Sequence, residues 1–188
     1  VNAEELHIEL ATTRGLLLRR FHESLSAEDL KAFFAQHPLR VFFADGSPFR
    51  ASSDGWLTLS EAAKPSQSAS RAASILADYV RTRLAEAGAD IACETVLSNP
   101  SELTLIRQAK KKGYQVCLYY ICVASPVISK QRVAIRVKHG GHGVAEEKIA
   151  GQYAESLAQL RAAVALSDRA YLFDNTYSGA ALKLEIHR

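Results

Sequence analysis

The chain has 188 residues, 48% hydrophobic and 23% charged, enough for one globular domain with a core that is stable unaided. Its 23 lysines and arginines face 20 acids, and the resulting +3 is spread along the chain, which excludes the dense basic footprint of a dedicated nucleic-acid binder. No run approaches the roughly eighteen apolar residues that cross a bilayer, and the first residues lack the sections of a secretory signal, so no membrane role is expected and the compartment expected is the cytoplasm.

Cys93, Cys117 and Cys122 lie in apolar runs and form no CxxC, which predicts buried thiols rather than a disulfide framework or a zinc site. There is no methionine, and the opening Val-Asn-Ala reads as the continuation of a longer chain.

In chain order, Glu4 has two readings: a carboxylate at the C-terminal end of a first strand, or an acid in the first turn of a helix. Residues 10–65 fit a regular alternation poorly and are read as an insertion. They hold a helix after Ser26, which is followed by acids as an N-cap should be, and a possible strand at 41–43. Phe42, Phe43 and Trp56 there suit either substrate contact or a small local core. Residues 70–87 are helical by the spacing of Ile75, Tyr79, Val80 and Leu84. Residues 91–96 are short, apolar and bounded by turn residues, as in a strand buried on both faces, with Glu94 near its end. A helix over 101–112, with lysines at its negative end and Gly113 as its stop, completes a βα unit.

Residues 115–123 form a continuous aromatic and β-branched run, which suits an interior strand of a parallel sheet. A helix over 127–138 follows, then the loop at 140–143, then an amphipathic helix carrying Ile149, Tyr153, Leu157, Leu160 and Val164. Strands at 170–174 and 181–186 end the chain. This alternation predicts an α/β fold: a parallel sheet with helices on both faces.

Some residue types in this order suggest chemistry. An acid ending a buried strand is costly without a partner, so Glu94 is a candidate binding residue, with the hydroxyls of Thr95 and Ser98 beside it. Arg132 and Arg136 are four apart and share a helix face, which fits either a phosphate site or a solvated basic face. Gly140 and Gly141 suit a hinge, and the flanking His139 and His142 carry no metal assignment. Asn175 follows a strand, where a ligand contact and an ordinary Asp-Asn turn look alike.

Four segments in one order, residues 1–6, 93–100, 132–149 and 171–176, together resemble the zeta toxin family of P-loop kinases. The resemblance implies a P-loop kinase fold like that of shikimate and adenylate kinases, a single kinase-like domain over 1–188 with an insertion after the first strand, and a lid over about 132–160. It implies ATP and Mg2+ used to phosphorylate a hydroxyl, with a nucleotide sugar such as UDP-N-acetylglucosamine as the candidate acceptor. It also implies an antitoxin protein as a possible partner. On this resemblance Glu4 is the base, Arg132 and Arg136 stabilise the transferring phosphate, Glu94, Thr95 and Ser98 bind substrate, and Arg132 and Asn175 contact the nucleotide.

The chain departs from the family pattern in three ways. No GxxxxGK[ST] occurs in it, so a preceding segment of strand, loop and helix is expected to supply the phosphate cradle. Glu4 replaces the usual Asp, and Gln152 and Glu155 replace lid arginines. These changes leave a catalytically weakened nucleotide- or protein-binding relative as the alternative.

Overall fold

A computed structural model describes residues 1–12, 15–139 and 143–188, without the side chains of Thr12 and Ser66. The glycine hinge expected at Gly140 and Gly141, with His142, lies outside the described residues. The chain forms two compact units, Val1–Glu94 and Thr95–Arg188.

The first unit is built around one long helix. Its elements are α1 (Ala3–Thr12), β1 (Leu16–Leu17), α2 (Ala27–Gln36), β2 (Phe49–Ala51), β3 (Trp56–Leu59) and α3 (Ser66–Glu86). The strands make a small antiparallel sheet in the order β1-β3-β2. Helix α3 is buried almost all round: Ala69, Ala72, Ala73 and Ala77 let neighbouring backbone approach, while Ile75, Leu76, Tyr79 and Val80 fill the space between. Such a core tolerates little change of volume. Gly15 is needed where it stands, because its φ is +116° and a Cβ there would collide with the Leu57 carbonyl oxygen. Apolar residues between 15 and 65, such as Leu16, Leu30, Phe49 and Leu57, pack into the same core as α1 and α3.

Two local expectations are corrected in this unit, and one left open is decided. Glu4 lies in the first turn of α1, the second of its two readings, and not at a strand end. The Asn2 side chain caps that turn by accepting from the Glu4 N–H at 2.8 Å, and acids follow it, so the local chemistry favours a helix start. Residues 91–96 form no strand: the Val1 amino group donates to the Ala92 carbonyl, and no strand ladder supports the segment. Residues 38–42 form a 3-10 helix in place of the strand at 41–43, started by Pro38 and by His37 Nδ1 accepting from Leu39 N at 3.2 Å. The helix after Ser26 is present, with Ser26 Oγ accepting from Asp29 N at 3.1 Å.

The second unit contains α4 (Pro100–Lys111), β4 (Cys117–Cys122), α5 (Pro126–Lys138), α6 (Glu146–Leu166), β5 (Arg169–Asp174) and β6 (Ala181–His187). Helix α4 opens with Asn99 and Glu102 in a reciprocal capping box and Pro100 at its first position, which satisfies two of its orphan N–H groups. Strands β4 and β5 pair in parallel, joined through α5 and α6, as parallel strands need a long crossover.

The mixed α/β class therefore holds, with two differences. Strand β6 pairs antiparallel to β5, so the sheet is only partly parallel. Its apolar packing is one-sided: Leu118, Tyr120 and Leu172 meet Leu103, Leu160 and Ala163 of α4 and α6, whereas Tyr119 and Ile121 on the alternate positions are 64% and 59% exposed. The continuous apolar run of β4 had suggested burial on both faces, but a strand's side chains alternate and only one set is covered here. The cysteines differ too. All three are free, Cys117 is exposed and the other two are half-buried.

At the start of β5, Asp168 holds the sheet to α4. Its carboxylate accepts from Lys110 Nζ at 2.5 Å and from Val116 N at 2.7 Å, and these two donors, Lys110 first, hold its pKa below the ordinary 3.8. A depressed carboxyl contributes stability above its unfolded pKa and loses it as pH falls through the lower folded value. Asp168→Asn is accordingly expected to lower the urea midpoint of the second unit at pH 7 and to flatten its further loss below about pH 4.

Candidate functional site

The parallel strands β4 and β5 end side by side, and the loops that leave them are tied together. Asn175 N donates to the Cys122 carbonyl at 2.7 Å, and Ala124 N donates to Thr176 Oγ1 at 3.0 Å. Thr176 N donates to Asp174 Oδ1 at 2.9 Å, and the Thr176 hydroxyl donates to the same oxygen. That hydroxyl first, then the N–H, holds the Asp174 carboxyl below its usual range. Tyr153 of α6 reaches the same corner, its hydroxyl donating to the Val123 carbonyl at 2.9 Å. Ligands of open α/β sheets bind at such strand ends.

Arg132 is brought to this corner. Its Nη2 donates to the carbonyl of Asn175, with the carbonyls of Tyr177 at 3.4 Å and Thr176 at 3.5 Å. Arg136 lies one turn on along α5 and is exposed. The structure thus joins Arg132 with Asn175, two positions expected to act near one another, but through the loop's backbone.

Thr95 and Ser98 share the loop before α4. The Thr95 hydroxyl donates to Glu102 and accepts from Leu97 N at 3.3 Å. Between them Leu97 is buried at 4% exposure with a left-handed φ of 56°, a conformation that disfavours a branched side chain. Gln159 of α6 holds it, Nε2 donating to the Leu97 carbonyl at 3.2 Å. Strain of this kind persists where surrounding structure over-determines it, often at functional loops.

In the first unit, Glu94 is exposed and has a partner, since Asn2 Nδ2 donates to its Oε2 at 2.6 Å. One amide therefore caps the helix carrying Glu4 and holds Glu94. The expectation of a costly buried acid is replaced by an exposed, hydrogen-bonded one. Asn2→Ala is expected to cost about 1 kcal/mol of stability through the lost cap, read as a lower thermal midpoint of the first unit, and to release Glu94.

Sequence reasoning passed over Asn2, Thr176, Tyr153 and Gln159. An Asn just before two acids is an N-cap signature, and Asp-x-Thr after a strand is a turn signature, so the first two left a local signal. Tyr153 and Gln159 left none, because their partners are distant backbone carbonyls.

The second unit is thus a mixed α/β domain whose partly parallel sheet gathers polar loops at its strand ends, an arrangement compatible with a kinase-like fold. The family model described as Zeta toxin matches residues 57–176, more than half of the chain, and the chain belongs to that family. Neither a curated protein nor a solved structure matches it. Family membership supports a kinase-like or toxin class and the use of a nucleotide. No helix among the described residues is long and apolar enough to cross a membrane.

ATP and Mg2+ are implied by the family, and the residues present fit them unequally. Among the described residues no cluster of three His, Cys, Asp or Glu could hold a metal ion, and the Walker-type lysine and hydroxyl are absent from the sequence. Among the described residues, then, no carboxylate cluster is placed to hold Mg2+. The strand-end corner, where Arg132 meets the loop that carries Asn175, is compatible with a nucleotide.

Proposed function

We propose that this chain is a P-loop-kinase-type domain that takes part in ATP-dependent phosphorylation of a small-molecule hydroxyl, with a nucleotide sugar such as UDP-N-acetylglucosamine as the acceptor class. The observation that carries this is the tied strand-end corner of β4 and β5, with two arginines on α5 and Asn175 in its loop. Arg136 acts toward the phosphates, where charge develops during transfer. Asn175 contacts the base, and Arg132 stands at the loop that carries it. In the second unit Thr95 and Ser98 are proposed to bind the acceptor; in the first unit Glu4 is proposed to take the hydroxyl proton and Glu94 to bind substrate. Residues 132–160 serve as the lid.

The test is incubation of the protein with γ-labelled ATP and a panel of nucleotide sugars. Label in a sugar fraction supports the proposal; label no higher than in a protein-free control overturns it.

A second reading is a binding relative with weakened turnover, favoured by Glu155, exposed on α6, and Gln152 at positions where the family carries arginines. It is distinguished by saturable nucleotide binding without transfer. A toxin role is read separately, as slowed growth of a bacterial host on expression and its relief by a co-expressed antitoxin.

A further inference from the structure

We infer that Arg132 is a positioning residue: it clamps the carbonyl side of the 175–177 loop and thereby sets the place of Asn175. The inference rests on the proposed nucleotide reading only for the role of Asn175; the clamp itself stands on geometry.

Three successive carbonyls, those of Asn175, Thr176 and Tyr177, converge on one guanidinium nitrogen. Carbonyl dipoles that converge repel one another unless a cation or donor lies at their focus, and a delocalised guanidinium suits that place better than the point charge of lysine. The opposite side of the loop is already fixed. Asn175 N is bound to the Cys122 carbonyl at 2.7 Å, and Thr176 N to Asp174 Oδ1 at 2.9 Å. The loop is therefore held through its N–H groups by the strand ends and through its C=O groups by α5.

This arrangement divides labour along α5. All three contacts fall on Nη2, so an Arg132 swung toward a phosphate would draw that nitrogen off the carbonyls, at a cost that opposes phosphate binding. Arg136, one turn further along α5, is the residue assigned to the phosphate side. Arg132 then acts on the base end of the ligand, through Asn175.

The test compares wild type, Arg132→Gln and Arg132→Lys in the intact chain. Amide hydrogen exchange at residues 174–180 is expected to quicken about tenfold in Arg132→Gln, less in Arg132→Lys, with α4 and α6 unchanged. The affinities for adenosine and for ATP are expected to fall by the same factor, since the loop contacts the part the two share. A loss confined to ATP makes Arg132 a phosphate contact and overturns the inference, as does unchanged exchange at 174–180. If the wild-type chain binds neither adenosine nor ATP, the nucleotide reading and the base contact of Asn175 fall together, while the exchange result still decides the clamp.

Discussion

Arg136→Ala is expected to slow phosphoryl transfer by about a thousandfold, which corresponds to about 4 kcal/mol of lost transition-state stabilisation. The size follows from where charge appears: the equatorial oxygens of the transferring group gain charge as the bond to the leaving oxygen lengthens, and a placed guanidinium meets it without reorganisation. The loss is expected in kcat more than in KM. Arg136→Lys keeps the charge but not the planar fork, so it recovers only part of the rate. Initial rates with labelled ATP and the best acceptor decide the matter; an unchanged kcat in Arg136→Ala removes α5 from the phosphate side.

The second large effect is on stability. Tyr79 is 0% exposed in α3, and its hydroxyl both donates to the Ser26 carbonyl at 3.0 Å and accepts from Ser26 N at 3.1 Å. Tyr79→Ala empties an aromatic site in a core built of alanines that cannot expand to fill it, so a loss of about 3–5 kcal/mol is expected in urea unfolding of the first unit. Tyr79→Phe keeps the ring and leaves both Ser26 backbone groups without this partner, for about 1–2 kcal/mol.

The same tyrosine gives an alkaline signature. Burial pushes its pKa up from 10 to about 12. Its contribution is present below the unfolded pKa and is lost as pH rises through the folded one, because the unfolded chain gives up the proton first. Wild type should therefore weaken between about pH 10 and 12, and Tyr79→Phe should weaken less over that window.

Much of the framework was legible because it is periodic. Helices α3, α4 and α6 follow the 3.6-residue spacing of their apolar positions, and β4 and β5 are apolar runs too short for helices. What failed was what depends on partners. Residues 91–96 have the composition of a buried strand, yet a strand exists only beside another, and composition does not say which neighbour is there. For Glu4, the helix reading prevailed because Asn2 supplies a cap, a local fact that the strand reading ignored.

The site divides in the same way. Arg132, Arg136 and Asn175 stand out as residue types, and helical spacing places the two arginines on one face. That Arg132 would turn to backbone carbonyls was not legible, since a carbonyl leaves no mark in the sequence. Nor was the Asn2–Glu94 bond, which spans 92 positions.

Leu97 sets a trap for anyone seeking to improve this protein. Its backbone asks for glycine, and relieving the left-handed φ is worth about 1–2 kcal/mol; its side chain asks for leucine, and deleting a buried one costs about 2–5 kcal/mol. The second demand exceeds the first, so the substitution that corrects the geometry lowers stability. A design method that scores backbone torsions alone will choose glycine there, and one that scores burial alone will leave the strain in place. The productive change lies next door, in the residues that hold the leucine in its posture.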